Sequence, residues 1–486
     1  MLELAAVFIT LGAVLYHNLS VSLFVISLFS LSFSIFLSIY FRTRQGVVFS
    51  FLLGFLTIFG ALAVASNEKI ISNDIYGDRA FTAKVISVDR RLNSTVFVVK
   101  EKNNKLQIFS NENLKIFPGD TVSIRGRVEK PEKFLTDSGR IFDYPGFLES
   151  RKIVAIARNT QVNILETGRF SLERLATKSR FEIADIFSKN ISFPSDGISA
   201  GMLVGYQGGL PQGIQSLFRD TGVLHILVLS GYNITLLAGF LAILMKTLPF
   251  RLRTIITIFC IVLIVLISGS GIASIRAGIM GSIALFAGLV RKTYQPLRAL
   301  TLSYLIFFFI SPATIFSDPG FHLSFLATFF MIMALPKVQD TLKIKNTAHG
   351  INTKEILLLS ILMPLFILPY TMYFSGLFPI SSPISNAVLS LVAPLIMMAG
   401  AILLVFSIFT PVAELIGSFI SSLGEGVVWF LNAVNSLPKW QTPEISWAWV
   451  VLFYLIGTFV IFRKEIIAYA RQLHTSLLQP SNSSES

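Results

Sequence analysis

Polar and ionisable side chains interrupt four strongly apolar stretches of this chain of 486 residues. The stretches are VLHILVLSGYNI (223–234), SGSGIASIRAGIM (268–280), GFHLSFLAT (320–328) and SSPISNAVLSLVAP (381–394). An arginine at the centre of a membrane helix costs roughly 2.5–3.5 kcal/mol on insertion scales. We therefore expect each such side chain to have a structural or functional role. The candidates for lining a polar path or binding a substrate are His225, Ser230, Asn233, Ser274, Arg276, His322, Ser324 and Asn386.

Each candidate also has a structural explanation, which the sequence leaves open. Arg276 could extend to the membrane surface, the serines could bond to their own helices, and the asparagines or histidines could bridge neighbouring groups. A hydrolase that pairs Ser230 with His225 is disfavoured, because five positions on one helix separate them by about 140°. With one cysteine, Cys260, and five scattered histidines, we expect no catalytic site, no metal and no cofactor.

The composition places the chain in a membrane. It is 53% hydrophobic and 14% charged, with a mean hydropathy of +0.70, which excludes soluble globular and disordered proteins. About twelve apolar runs are long enough to be considered as spans. They cover about 2–16, 20–41, 46–65, 224–246, 252–269, 272–290, 298–312, 320–336, 354–374, 384–409, 412–436 and 446–462.

The distribution of the net charge of +13 mainly indicates how the chain is oriented in the membrane. If the N-terminus is cytoplasmic, fifteen basic residues fall in inner segments, whereas the short outer loops contain one, Lys439. The inner residues are Arg42, Arg44, Lys246, Arg251, Arg253, Arg291, Lys292, Arg298, Lys337, Lys343, Lys345, Lys354, Arg463, Lys464 and Arg471. The positive-inside rule therefore predicts a multi-pass membrane protein with both termini in the cytoplasm.

A polar insert separates the first three apolar runs from the other nine. Five short alternating segments within it, at 81–88, 94–100, 106–110, 121–130 and 152–158, predict a small, partly open barrel of the OB type outside the cytoplasm. A fragment of a β-sandwich would look similar. Residues 170–191 then show helical periodicity, typical of a helix on the membrane surface or a helical linker. The predicted units are 1–66, 67–165, 166–222, 223–463 and 464–486.

The polar candidates share one depth. Their four spans all run from outside to inside, and each candidate lies within about ten positions of the outer end, which predicts a polar vestibule in the outer 15 Å or so. Residues expected to break the helices there are Gly222, Gly231, Gly271, Gly320 and Pro394. Half-helix N-termini and Arg276 would together attract an anion, either a phosphate chain or a small organic anion.

Several of these segments resemble the competence domain of the ComEC family, the inner-membrane DNA channel of natural transformation. The similar segments are LFRDTGVLHILVLSGYNI (217–234), ASIRAGIM (273–280), GFHLSFLAT (320–328) and FPISSPISNAVLSLVAPLIMMAG (378–400). The end of the insert, FDYPGFLESRKIVAIAR (142–158), resembles the close of the OB-like domain in that family. The resemblance carries over Gly222, His225, Ser230, Gly231, Ser274, Arg276, Gly320, Ser324, Phe325, Asn386 and Pro394.

The resemblance implies a channel that passes one DNA strand inward while the other is degraded, with the outer domain meeting DNA first. Asn233 stands where members usually have histidine, and His322 stands where glutamine is common. The metallo-β-lactamase-like domain of many members does not follow the last span. The expected partners are single-stranded DNA, the lipid bilayer, and separate DNA-receptor, nuclease and cytoplasmic motor proteins, while self-association stays open.

Two functional hypotheses follow from these patterns. In the first, a DNA channel, the insert binds a strand through basic and aromatic residues. The candidates are Lys84, Arg90, Arg91, Phe97, Lys100, Phe109, Arg125 and Arg127. The alternative for these residues is a solvated basic face with Phe97 and Phe109 inside the barrel. In the second hypothesis, the protein transports another polyanion or an envelope precursor.

Overall fold

The structure is a computed structural model that describes residues 2–17, 55–62, 64, 75–136, 138–341, 353–441, 444–457 and 460. The predicted span at 20–41, most of the span at 46–65, and the predicted unit 464–486 lie outside these residues. So do several of the basic residues used to predict orientation. These are Arg42, Arg44, Lys343, Lys345, Arg463, Lys464 and Arg471.

The insert forms a closed five-stranded barrel with the strand order β1-β2-β3-β7-β4. The strands of the chain are Gly77–Arg90 (β1), Thr95–Glu101 (β2), Asn104–Ser110 (β3), Thr121–Glu129 (β4), Phe134–Leu135 (β5), Ile141–Phe142 (β6), Ile153–Glu166 (β7), Leu377–Pro379 (β8) and Lys439–Gln441 (β9). Alternate residues such as Leu106 and Ile108 fill the interior. The five predicted strands are confirmed, and the sandwich alternative is wrong.

The barrel is closed rather than partly open, which differs from the prediction. The cause is the length of β1: its first half pairs with β4 and its second half pairs with β2, both antiparallel. Lys84 pairs with both strands, and a register shift between Val85 and Ser87 follows within the pairing with β2. β3 and β7 pair in parallel and complete the ring.

The rest of the described chain is helical. The helices are Leu2–His17 (α1), 55–62 (α2), Tyr144–Ser150 (α3), Leu172–Asn190 (α4), Ser195–Val204 (α5), Gln212–Asp220 (α6), Leu224–Leu227 (α7), Gly231–Leu244 (α8), Phe250–Ile267 (α9), Ile272–Leu289 (α10), Pro296–Ile310 (α11), Ala313–Ser317 (α12), Pro319–Met333 (α13), Leu335–Thr341 (α14), Thr353–Ser375 (α15), Ser382–Phe406 (α16), Thr410–Asn435 (α17) and Trp447–Gly457 (α18). Among the described residues, five helices are long and apolar enough to cross a membrane, in α9, α10, α15, α16 and α17. The chain is a helical membrane protein.

Two of the predicted helix breaks are wrong. Helix α16 runs through Pro394 without interruption. Proline has no N–H for the carbonyl of Ser390, four residues earlier, and the hydroxyl of Tyr232 donates to that carbonyl instead, at 3.2 Å. Gly320 lies in the first turn of α13, where its N–H donates to Oδ1 of Asp318 at 2.8 Å. It therefore helps to start a helix rather than to break one.

The hairpin of α4 and α5 joins the barrel to the spans. Phe181 of α4 belongs to the barrel core, whereas Phe187 is fully buried in the core formed with α16 and α17. A Cβ atom at Gly400 would lie 3.2 Å from the ring of Phe187. Helix α4 therefore packs into both cores and connects them, and the predicted helix at 170–191 is confirmed.

The barrel lies against one end of the helical domain, here called the barrel side. The carbonyl of Ser150, at the end of α3, accepts hydrogen bonds from Ser311 at 2.8 Å and from Thr314 at 3.2 Å. Ser138 donates to the carbonyl of Ser375, at the end of α15. These contacts involve the segments after α11 and α15, which the sequence places on the same face of the membrane as the insert.

Candidate anion site in the helical domain

A short extended segment breaks the first predicted span of the competence-like region. Helix α7 ends at Leu227, and α8 begins at Gly231, with Ser230 as its N-terminal cap. The hydroxyl of Ser230 donates to Oδ1 of Asn233 at 3.1 Å and accepts from the N–H of Asn233 at 3.4 Å. Helix α8 therefore starts at Gly231, where the sequence predicts a break.

Arg276 of α10 points at this helix start. Its side chain is buried, with 8% exposure, and its Nε donates to the hydroxyl of Ser324 on α13 at 2.8 Å. A Cβ atom at Gly231 would lie 3.2 Å from Nη2, so the guanidinium lies directly against the first residue of α8. A larger residue than glycine at this position would push the guanidinium away.

Ser274 fixes the broken segment from the other side. Its buried hydroxyl donates to the carbonyl of Leu229 at 3.0 Å, which ties the start of α10 to the residue before the Ser230 cap. Gly271, just before α10, accepts from the N–H of Ile275 at 2.9 Å and begins that helix. We call the assembly of Ser230, Gly231, Ser274, Arg276 and Ser324 the arginine site.

The arginine site concentrates charge of one sign. The start of a helix carries a partial positive charge on N–H groups that have no intrahelical acceptor, and Arg276 adds a full positive charge beside it. Among the residues that the structure describes, no carboxylate forms an ion pair with Arg276. An anion bound beside both the guanidinium and the α8 N-terminus would neutralise both groups, which makes the site suited to a phosphate or carboxylate.

Both asparagine candidates are turned toward protein groups. Asn233 has 1% exposure, and its Nδ2 donates to the carbonyl of Met202 at 3.1 Å. Asn386 donates within its own helix, to the carbonyl of Ser382 at 2.8 Å and to its hydroxyl at 3.1 Å. Neither side chain lines a path here. His225 lies exposed on α7, away from the hydrogen bonds of Ser230.

We expect replacement of the two asparagines to have different effects on stability. Replacing Asn233 with alanine leaves the buried Met202 carbonyl without its donor, which we expect to cost about 1–3 kcal/mol. Asn386→Ala removes only a bond within one helix and is the matched control. Melting of the purified protein in detergent is the measurement, and we expect the lower melting temperature for Asn233→Ala. Equal melting temperatures would contradict a tertiary role for Asn233.

Gly222 brings the segment between α6 and α7 against the start of α16. Its φ angle of +76° lies in the left-handed region, and a Cβ atom there would lie 2.5 Å from the hydroxyl of Ser382. Any other residue would therefore be strained and would also collide with the start of α16. The predicted break at Gly222 is present, between α6 and α7.

His322 belongs to a different part of the helical domain. Its Nε2 lies 2.5 Å from the carbonyl of Ile315, so this nitrogen must donate, and Nδ1 therefore accepts from the hydroxyl of Tyr370 at 2.6 Å. The ring forms part of the wall of a cavity of about 1220 Å³ between α1, α11, α13, α15 and α18. Ser324, on the same helix, is not part of that wall.

This cavity is rich in aromatic side chains and is not predicted from the sequence. Eleven of its 29 described lining residues are Phe, Tyr or Trp, against 12% in the whole chain. They are Phe142, Tyr304, Phe316, Phe321, Phe325, Phe329, Tyr370, Tyr373, Phe374, Trp447 and Tyr454. The high phenylalanine content is the only sequence signal for it, because rings from five separate helices and from β6 meet there.

The barrel candidates divide into packed and exposed residues. Phe97 has 1% exposure in the barrel core, so its ring cannot stack on a base. Phe109 lies outside the barrel core, where it is half-buried against Leu148 and Ile156. Arg90 lies over the ring of Phe181, at 4.1 Å from its centroid. The prediction that Phe97 binds DNA is wrong, because the barrel interior buries its ring. Arg90 and Phe109 are half-buried by their contacts with α4 and α3.

The remaining basic candidates lie on the outer surface of the barrel. Arg91 lies 3.8 Å from Asp89, and Arg127 lies 3.3 Å from Glu129, so their charges are partly neutralised. The exposed candidates that form no ion pair with a described residue are Lys84, Lys100 and Arg125.

Fold and site together define a class of protein: a helical membrane protein with a β-barrel at one end and a buried, unneutralised arginine beside a helix N-terminus. The family model described as Competence protein matches residues 202–466, which is more than half of the chain. The chain therefore belongs to the competence protein family, and the resemblance to the ComEC family is confirmed.

One curated relative extends this comparison. ComE operon protein 3 of Bacillus subtilis (strain 168) is 25% identical over 313 residues, which are 63% of this chain and 38% of that protein. The match therefore spans well under half of the relative's length. No solved structure matches the chain.

Proposed function

We propose that this protein forms the inner-membrane channel through which single-stranded DNA enters the cell during natural transformation. Membership of the competence protein family supports a role in DNA uptake. The arginine site supports a polyanionic substrate, because it presents positive charge inside the helical domain where the described residues offer no carboxylate to balance it.

The arginine site is the observation that carries the proposal. A single strand brings one phosphate after another past a fixed point. A site made of one guanidinium and one helix N-terminus can hold a phosphate and then release it, whereas a cluster of several arginines would retain it. Conduction requires this balance between entry and exit. Ser324 holds Nε of Arg276, which leaves Nη2 to face Gly231 and an incoming anion.

The orientation and the barrel complete the proposal. We place the barrel outside the cell membrane, both termini in the cytoplasm, and about twelve spans between them. Arg251, Arg253, Arg291 and Lys292 support this orientation, since they lie at the ends of α9 and α10 that are away from the barrel side. The barrel's strand order, with β3 parallel to β7, supports an OB-like domain.

Uptake of labelled DNA by a transformable strain tests the proposal. The strain's own channel gene is deleted, the present chain is expressed, and end-labelled duplex DNA is supplied. We expect nuclease-resistant label inside the cells, in single-stranded form. Normal accumulation of the protein in the membrane with no internal label would contradict the proposal. An Arg125→Cys variant in a Cys260→Ala background, labelled by an impermeant maleimide, tests whether the barrel is outside.

A further inference from the structure

A shallow cavity of about 300 Å³ lies on the outer surface of the barrel, between β1, β2 and the start of α4. Lys84, Lys100, Arg169 and Phe170 line it, and Glu173 is the one acidic residue among its described lining residues. Arg169 and Phe170 come from the segment between β7 and α4, which folds back against the barrel. The three basic side chains belong to three separate elements that converge on one small volume.

The two lysines face each other across the sheet. Lys84 on β1 and Lys100 on β2 are direct partners in the antiparallel register, and both are exposed. Like charges at directly opposed positions destabilise a pair of strands. Neither lysine, nor Arg169, forms an ion pair with any residue in the described part of the chain. The barrel therefore keeps an unfavourable charge arrangement that a bound anion would relieve.

Phe170 supplies a ring at the same place. Its side chain is 79% exposed, although it is among the largest apolar side chains of the protein. An exposed aromatic ring beside convergent cations is the combination that binds single-stranded nucleic acid, because bases stack on the ring while the cations follow the phosphates. Phe170 thus takes the role that the sequence assigns to Phe97 and Phe109, whose rings are packed.

The direction of α4 separates this cavity from the lipid surface. Nη1 of Arg180 lies against Gly269, in the segment between α9 and α10 on the barrel side, and Phe187 lies in the helical core. The helix therefore runs from the cavity toward the spans. Nine residues from Arg180 back to Ser171 correspond to about 14 Å along its axis. The cations and Phe170 lie on the far side of Arg180 from the spans, which disfavours lipid headgroups as the ligand.

We infer that Lys84, Lys100, Arg169 and Phe170 form a binding site for a single nucleic-acid strand on the barrel, here called the strand site. This inference rests on the proposed function, and it adds to it the place where the strand is first held. The lysines and Arg169 contact successive phosphates, and a base stacks on Phe170. The cavity of about 300 Å³ takes one or two nucleotides, and its cations recognise phosphates rather than a base sequence.

Binding of a fluorescent oligothymidylate of about 20 nucleotides to the full-length protein tests the strand site. The protein is held in nanodiscs of zwitterionic phosphatidylcholine and titrated at several salt concentrations. We expect Lys84→Ala with Lys100→Ala to lower the slope of log K against log salt by about 1.4, since each single-strand phosphate contact contributes about 0.7. We expect Phe170→Ala to weaken binding by roughly 5- to 150-fold with an unchanged slope.

Two variants serve as matched controls for the loss of a cation and of an apolar side chain. Lys130→Ala removes an exposed lysine just beyond β4, at the opposite end of that strand from Thr121, the partner of Lys84. Leu135→Ala removes an exposed apolar side chain on β5. We expect both controls to bind as the wild type does.

Four results would overturn the inference. They are no binding by the wild type at low salt, equal losses in the controls, full binding by Phe170→Ala, and suppression by anionic phosphatidylglycerol in the nanodiscs that is larger for the wild type than for the strand-site variants. The last result would identify a lipid surface as the ligand, because simple repulsion of the oligonucleotide by the bilayer would act on all variants alike.

Transformation of cells separates the strand site from the channel. Strand-site variants should lose transformation at limiting DNA and regain it at saturating DNA, because only the capture step is weakened. A protein that binds the oligonucleotide as expected but supports no uptake at any DNA concentration would refute the proposed channel function and leave the strand site intact. Uptake that is unaffected by the strand-site variants at limiting DNA would refute the strand site alone.

Discussion

Replacing Arg276 with alanine is expected to reduce transformation to below about one-hundredth of the wild-type frequency, while the protein accumulates normally in the membrane. A hydrogen bond to a charged group is worth about 1.5–3 kcal/mol, or roughly 10- to 150-fold for each lost contact. The variant loses one such contact to every phosphate that passes. Transformation frequency, normalised to the amount of membrane protein, is the measurement.

The stability of the same variant distinguishes a binding role from a structural one. Arg276 is buried, and its hydrogen bonds are to Ser324 and to the sulfur of Met280 rather than to a carboxylate. Removing a buried charge that lacks an ionic partner relieves a desolvation cost, so we expect the melting temperature to stay the same or rise. If Arg276 were a structural residue, the melting temperature and the transformation frequency would fall together.

Two further variants control for charge and position. Arg276→Lys keeps the positive charge but cannot hold Ser324 and face Gly231 at the same time, so we expect an intermediate loss of transformation. Arg219→Ala removes an exposed arginine of α6 and should have no effect. Wild-type uptake by Arg276→Ala, with normal protein amounts, would refute the arginine site as part of the path.

Adding one methyl group at Gly417 is expected to destabilise the protein strongly. A Cβ atom at this position of α17 would overlap the backbone carbonyl of Asn190, at the end of α4. A backbone group cannot rotate out of the way, so α4 must move, and Phe187 and Ile191 lose their packing in the helical core. Overpacking of this kind costs about 1–3 kcal/mol or more. The measurement is thermal unfolding of the purified protein in detergent.

Gly426 provides the matched control on the same helix. A Cβ atom at Gly426 meets no atom within 4 Å, so Gly426→Ala should stabilise α17 by about 0.5–1 kcal/mol through helix propensity alone. The same substitution is thus expected to shift the melting temperature in opposite directions at the two positions. Equal shifts would mean that α4 does not lie against α17.

The barrel was predictable because its signal is local. Alternation of apolar and polar residues within each strand directly identifies the residues that face the core, such as Leu106 and Ile108. Closure was not predictable, since it depends on β1 pairing with β4 through its first half and with β2 through its second. The sequence of one strand does not indicate which other strands will pair with it.

The α4–α5 hairpin shows the opposite case. Helix α5, SDGISAGMLV, has ten residues, too few to span a bilayer, and its serines and glycines resemble a linker. Its burial comes from contacts with distant helices: Ser195 donates to the carbonyl of Ser421, 226 residues away. Local periodicity cannot reveal such a partner, so the hairpin looked like a connection between domains.

The arginine site was partly predictable. The cost of a buried arginine identifies Arg276, and the adjacent Ser-Gly pair identifies the start of α8. The neighbours of Asn233 and Asn386 decide their roles, because an amide bonds to whichever acceptor packing brings near it. Met202 is such an acceptor, and it comes from the hairpin that the sequence does not predict. The sequence does not predict a binding role for Phe170, because this residue lies in the segment predicted to be a surface helix or linker.

The position of the hairpin also determines the order in which the protein assembles during its synthesis. A ribosome releases the barrel and the hairpin first, whereas Gly400, Gly417 and Gly424, against which the hairpin packs, emerge about 200 residues later. The barrel therefore cannot be fixed to the helical domain until α16 and α17 have been inserted. Only then can the hairpin dock and hold the barrel against the helical domain, so a chain whose synthesis stops before α16 and α17 leaves the barrel undocked.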